Sequence, residues 1–249
     1  MLPHFTLTDW LLAIIGAMSI GISKNGFTGL SLITVVIMAH LFPPRESTGV
    51  LLPLLIFGDI CAILGFKRHA KWVQIRKMLP PTMIGVVFGW LIMLYVRGSK
   101  FGPIIGWIIF GLAILQAARL IRPALYEHLP HTRRFAWAMG TTSGVTTMLA
   151  NAAGPIMTLY FLAINLPKYE FIGTSAWFFF IVNVYKVPFS LHLGLIHGSS
   201  LLLNLVLTPA VALGALAGQR LVKIIPQRLF EILLLTFAVL ASLRMIGVF

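Results

Sequence analysis

SKNGFTG, residues Ser23 to Gly29, is a polar segment with two glycines inside an apolar part of the chain. It interrupts an apolar run over residues 9–40, and LANAAGP, Leu149 to Pro155, interrupts a second run over residues 135–166. As one helix at about 1.5 Å per residue, each run would be roughly 48 Å long, too long for one crossing of the hydrocarbon and too short for two. Each run therefore predicts two half-helices joined by a break whose freed backbone groups face protein or a water-filled cavity. We expect a broken helix or re-entrant hairpin at each interruption.

Six other segments have the length and apolar character of full transmembrane spans. They cover residues 48–66, 78–96, 101–119, 171–189, 200–218 and 229–247. Of the 249 residues, 59% are hydrophobic and 10% are charged, whereas an average soluble domain is about 25% charged. We predict an all-α polytopic membrane protein with a single membrane domain, multi-pass in a bacterial-type cytoplasmic (inner) membrane.

The formal net charge of +13 comes from Lys and Arg in short loops next to apolar runs, a pattern of membrane topology and not of nucleic-acid binding. With a hairpin at each interruption, thirteen Lys and Arg fall on one side, and the loop near 190–199 on the other side has none. If each interrupted run instead crossed the membrane once, the loop with Arg220, Lys223 and Arg228 would lie on the side opposite to the other basic loops, and the uncharged loop would take its place. We keep this eight-span topology as the weaker alternative.

The two halves of the chain repeat. FPPRESTG (Phe42–Gly49) parallels LPKYEFIG (Leu166–Gly173) at an offset of 124, and IGVVFG (Ile84–Gly89) parallels LGALAG (Leu213–Gly218). Three spans plus one hairpin give an odd number of crossings, so the halves should insert in opposite orientations as inverted repeats. The predicted repeats cover residues 9–122 and 133–248.

The first interruption carries the most informative candidate residues. It places Lys24 in a hydrophobic stretch, beside Asn25, Gly26 and Gly29. A charge there usually faces a cavity or a partner, and half-helix N-termini and glycine backbone can bind an anion in the same cavity. The alternative is that Lys24 snorkels to the interface while the glycines permit tight helix contact.

The second interruption offers neutral donors and small residues. These candidates are Ser143, Gly144, Asn151, Gly154 and Pro155. Pro155 is suited to the start of a half-helix, because proline loses no needed hydrogen bond in the first turn. Helix packing through small residues is the alternative explanation.

Asp59 lies near the middle of the first full span, and the repeat aligns it with Asn183. Lys186 follows Asn183 by three positions, on the same helical face. Asp59 could balance Lys24 or Lys186, or accept a proton during transport. A structural pair with no transport role is equally open.

Cofactors and metals are not expected. Cys61 is the only cysteine, and the histidines are not clustered as metal ligands. An intramembrane enzyme would need a convergent nucleophile and base, or a metal set, for which the few candidates are Asp59, Cys61, Ser143 and scattered histidines. A partner-dependent membrane subunit would need an extended surface that the short loops do not supply.

Together these motifs resemble the sulfite exporter TauE/SafE family of membrane permeases, over nearly the whole chain. The motifs are KNGFTG, PPRESTG, Asp59, SG at Ser143, NxxGP from Asn151, LPK at Leu166, GT at Gly173, and Asn183. The chain departs from the usual pattern at Asn25 and Thr28, within the glycine-rich run. The resemblance implies a permease for sulfite, sulfoacetate or related sulfur-containing organic anions.

From the candidate residues and the family resemblance together, we expect alternating-access transport of a small anion across the lipid bilayer. Protons as the coupling ion and a homo-oligomeric assembly are both left open.

Overall fold

The computed structural model describes residues 5–27, 30–96, 98–122, 132–164 and 166–224, with the single residues 239 and 243. It is 88% helical, with no strand in the described part. The predicted all-α membrane fold is confirmed. The predicted span 229–247 lies outside the described ranges.

Nine α-helices occupy these ranges in chain order. They are α1 (Leu7–Lys24), α2 (Leu30–Leu41), α3 (Pro44–Phe66), α4 (Trp72–Tyr95), α5 (Gly98–Ile121), α6 (Arg133–Ala150), α7 (Gly154–Ala163), α8 (Lys168–His192) and α9 (Gly198–Ile224), with a 3₁₀ turn (Lys67–His69) after α3. The other five predicted spans fall in α3, α4, α5, α8 and α9, to within a residue. By length and composition, α1, α3, α4 and α9 are each long and apolar enough to cross a membrane.

Both predicted interruptions are breaks between helices, and local chemistry explains where they fall. The first helix begins at a capping box, in which Thr6 and Asp9 exchange hydrogen bonds. It ends at Lys24, with Asn25 as its C-cap. The end of α6 is Asn151 in the left-handed conformation (φ 53°), which asparagine adopts more readily than most residues.

Each break reverses the chain, so that two helices form a hairpin. In the first hairpin, Gly16 of α1 faces Met38 of α2, at similar distances along the chain from the break. In the second, the ring of Phe135 in α6 stacks on Tyr160 of α7 at 6.3 Å between centroids. Neither interrupted run is an unbroken rod.

The first arm of each hairpin packs against a helix of the other half of the chain. A Cβ added at Gly214 of α9 would collide with the carbonyl oxygen of Met18 in α1, and one at Gly218 would meet Ile22. The residue numbers rise together in both helices, so α1 and α9 run parallel. Small residues allow this close backbone approach within a membrane.

The same contact occurs between α6 and α4. A Cβ at Gly85 of α4 would collide with the carbonyl oxygen of Thr141 in α6, and one at Gly89 would meet Val145 and Met148. These residues correspond to those of the contact between α1 and α9. Thr141 and Val145 lie 123 positions after Met18 and Ile22, and Gly85 and Gly89 lie 129 positions before Gly214 and Gly218.

Helices α3 and α8 cross in the centre of the molecule. Asp59 of α3 contacts Asn183 of α8, and Phe66 further along α3 stacks on Tyr169 near the start of α8. The two helices are therefore antiparallel. The eight-span topology would make them parallel, because it puts an even number of crossings in each half.

Candidate functional site

Lys24 points inward from the tip of the first hairpin. Its Nζ lies 2.7 Å from Asp59 Oδ1 of α3, and its side chain is 11% exposed. The same nitrogen lies 4.8 Å from the centroid of the Phe179 ring on α8, a distance typical of a cation–π contact. The side chain is thus held inside the protein by an ion pair.

A polar network continues from Asp59 through the centre of the protein. Asn183 Nδ2 donates to Asp59 Oδ2 at 2.7 Å, and Asn183 Oδ1 accepts from Lys186 Nζ at 3.4 Å. Lys186 Nζ also donates to Asn151 Oδ1 and, at 3.3 Å, to Thr147 Oγ1. The network joins α3 and α8 to the C-terminal end of α6.

The formal charges of this network do not cancel. Lys24 and Lys186 contribute two ammonium groups, and Asp59 is the carboxylate among them. Lys186 and Asp59 are 2% and 0% exposed. Because an uncompensated charge in a membrane interior is costly, the network with both lysines protonated would favour an anion close by.

A cavity lies between the two hairpins and α8, and its volume is about 40 Å³. At 10–15 Å³ for each water, it has room for about three waters or one small anion. The polar lining residues are Ser23, Lys24, Ser31, Thr34, Thr147, Asn151, Ser175 and Asn183. The hydroxyl of Ser175 is buried and has no hydrogen-bond partner.

Five predicted site residues line this cavity: Lys24, Gly26, Asn151, Gly154 and Asn183. They come from both hairpin tips and from α8, so the structure brings the two interruptions together. Asp59 and Lys186 do not line the cavity, but each contacts a residue that does.

Asn25 serves the fold in this structure and does not line the cavity. Its Nδ2 donates to the carbonyl oxygens of Gly21, at 2.8 Å, and Ala215, at 3.2 Å. These bonds attach the hairpin tip to α9.

The other candidates among the described residues also lie off the cavity lining. Gly144 packs against the Thr82 carbonyl of α4, as the packing alternative expects. Ser143 is fully buried, and its hydroxyl has no hydrogen-bond partner. Pro155 is the second residue of α7, as predicted for the start of a half-helix. Gly29 lies outside the described residues.

Several cavity residues were not among the predicted site residues, and they include Thr147, Ser175 and Phe179, as well as Ser23, Ser31 and Thr34. A spacing signal was present, because Thr147 precedes Asn151 by four residues, and Phe179 and Ser175 precede Asn183 by four and eight. Residues four apart share one face of a helix. The candidates Asn151 and Asn183 therefore indicate, by helical spacing, that Thr147, Ser175 and Phe179 face the same cavity.

The comparison with known families decides the identity. The family described as Sulfite exporter TauE/SafE matches residues 12–245, nearly the whole chain. The chain belongs to the TauE/SafE sulfite exporter family. The predicted resemblance is therefore confirmed, and this TauE/SafE protein is a multi-pass membrane transporter. No curated protein matches the chain.

Several motifs that carried the TauE/SafE resemblance meet at the cavity. The KNG tip and the NxxGP tip supply Lys24, Gly26, Asn151 and Gly154 to its wall. The PPRESTG motif begins α3 and supplies Thr48, whose carbonyl oxygen accepts from Asn151 Nδ2 at 2.9 Å. These TauE/SafE motifs are thus distant in sequence and adjacent in space.

Proposed function

We propose that this transporter carries a small sulfur oxyanion, with sulfite as the best fit, through the cavity between the hairpins, in a bacterial-type inner membrane. The observation that carries the proposal is the arrangement of two lysines and a single carboxyl group, buried together beside that cavity. With both lysines protonated, the network has a formal charge of +1, which one monoanion such as hydrogensulfite would neutralise.

The size and chemistry of the cavity favour a small substrate. A volume of about 40 Å³ suits an ion with few heavy atoms, and a larger organosulfonate would require the cavity to widen. The Lys24 ammonium and the hydroxyls of Thr147 and Ser175 are available as donors. The N-terminus of α7, at Gly154, adds backbone N–H groups and the positive end of a helix dipole.

Competition for Lys24 would couple substrate binding to protonation. An anion in the cavity draws the ammonium away from Asp59, because both negative groups bind the same cation. A buried carboxylate without its partner is costly, and uptake of a proton removes that cost. Proton-coupled transport then follows from one shared lysine.

Alternating access is supported by the matched contacts of the two halves. The pairs α1–α9 and α4–α6 use corresponding residues, at offsets of 123 and 129. Asp59 contacts Asn183, its own counterpart at an offset of 124, as residues beside a two-fold axis do. Two inverted repeats could rock about this axis and expose the cavity to each side in turn.

Lys24→Ala tests the proposal. The purified protein in liposomes should transport labelled sulfite without any other protein. The substitution should raise the apparent KM for sulfite roughly 10- to 100-fold, because a charge-assisted hydrogen bond to the anion is lost. Lys71→Ala is the matched control, since Lys71 forms an exposed ion pair with Glu170 at 2.9 Å.

Loss of Lys24 also leaves Asp59 unpaired, so the double variant Lys24→Ala/Asp59→Asn keeps the test readable if the single variant does not fold. An unchanged KM in the folded variant would remove Lys24 from the substrate site. Sulfite transport that requires another protein would favour the partner-dependent alternative.

A further inference from the structure

A second cavity, of about 680 Å³, lies at the open end of the second hairpin. Its walls are the first part of α4, the first turns of α6 and the end of α7. Helix α7 has ten residues and leads from the central cavity to this one, a distance of about 15 Å. The volume is in the range of ligand pockets.

Three basic side chains line this cavity: Arg76, Lys77 and Arg133. Among the described residues, no acidic side chain lines it, and none forms an ion pair with these three. Cations that share a cavity repel one another, and an anion between them would relieve that repulsion. The cavity therefore has the charge of an anion site.

The helical fold does not require these charges. The offsets of 129 for α4 and 123 for α6 give the matching positions in the first half. They are Leu205 for Arg76, Val206 for Lys77 and Trp10 for Arg133. The same helix pairing thus forms with apolar residues at these places, and the three charges need another explanation.

Loop charges that set membrane orientation are one such explanation, but these three residues lie within helices and line one cavity. The cavity also has an amphipathic aromatic rim. Trp137 is 40% exposed, and the Tyr160 hydroxyl donates to Gln74 at 3.1 Å. Tryptophan and tyrosine are typical of the headgroup level of a bilayer.

We propose that this cavity binds the phosphate of an anionic phospholipid headgroup from the leaflet on the charge-rich side. Arginine pairs with phosphate through two parallel hydrogen bonds, and basic pockets between transmembrane helices on the cytoplasmic side bind acidic headgroups. Pro80 and Ile164 in the lining offer apolar contacts to the glycerol and upper acyl region. This site is separate from the transport site and does not depend on its substrate.

The test is native mass spectrometry of the purified protein in detergent, with dioleoyl phosphatidylglycerol and dioleoyl phosphatidylcholine as probes. We expect one phosphatidylglycerol to be retained in preference to phosphatidylcholine. Arg76→Gln/Arg133→Gln should weaken that binding roughly 30-fold, because each basic residue contributes to the attraction. An equal thermal unfolding midpoint checks that this variant is folded.

Arg68→Gln/Arg134→Gln is the matched control. It removes the same charge from two exposed arginines that do not line the cavity, and binding should persist. Equal losses in the two double variants, or equal binding of the two lipids, would overturn the proposal. Retention of inorganic phosphate with no preference for phosphatidylglycerol would also overturn it, since the occupant would then be a free oxyanion.

Discussion

At the residue scale, the pairing of Asp59 with Asn183 shows why the two halves differ at their point of contact. Asp59 meets Asn183, its counterpart in the sequence repeat, so an aspartate at both positions would place two carboxylates together, which is unfavourable. An amide solves this, because Asn183 donates to Asp59 and accepts from Lys186. The asymmetry gives one carboxylate two different donors, Lys24 and Asn183.

Asp59→Asn should abolish the dependence of sulfite uptake on a pH gradient, because the amide cannot take up a proton. Sulfite counterflow at equal pH should persist, since Lys24 remains available to the anion. Both assays use the same proteoliposomes. Glu170→Gln is the control, as this carboxylate pairs with Lys71 away from the cavity. Unchanged gradient dependence in the Asn variant would exclude Asp59 as the coupling group.

The sequence placed Lys24, Asn151 and Asn183 among the candidates because each polar residue stands out in an apolar run. It left the partner of Asp59 undecided between Lys24 and Lys186, since helix tilt and rotation set that choice. Asn25 and Gly144 were predicted to bind the substrate, and in the structure Asn25 bonds to backbone carbonyls of α1 and α9 while Gly144 packs against α4. In a sequence, a small or polar residue that binds a substrate cannot be told from one that holds two helices together.

At the scale of the helices, backbone contact at glycine holds each hairpin to the other half. In α4, Gly85 and Gly89 stand four residues apart and face α6, and Gly214 and Gly218 repeat this spacing in α9 toward α1. The breaks were predictable because glycine, proline and polar residues act locally. The helix partners were not, because pairing between distant segments depends on surfaces that form only after folding.

Gly85→Ala should lower the thermal unfolding midpoint in detergent, because its methyl group would collide with the Thr141 carbonyl and force α4 and α6 apart. Overpacking of this kind costs about 1–3 kcal/mol. Gly111→Ala is the control, since nothing lies within 4 Å of a Cβ there and alanine favours helix by up to about 1 kcal/mol. Equal midpoints for both variants would mean that α4 and α6 can separate without cost.

At the scale of the whole molecule, the direction of the helices and the distribution of charge lead to the same topology. The topology with two hairpins predicts thirteen Lys and Arg on one side, and it also predicts the antiparallel crossing of α3 and α8. The 3₁₀ turn after α3 contains Lys67 and Arg68, while the segment between α8 and α9 has no Lys or Arg. Antiparallel helices place these two ends on opposite faces.

Cysteine labelling in membrane vesicles tests that topology. In a Cys61→Ser background, His69→Cys and His197→Cys each introduce a single exposed thiol, one after α3 and one after α8. Membrane-impermeant maleimide should label position 69 from the cytoplasmic face and position 197 from the opposite face, because lysine and arginine favour the cytoplasmic side. The eight-span topology predicts labelling of both from one face. That outcome would make the halves parallel and remove the two-fold relation on which alternating access by inverted repeats depends.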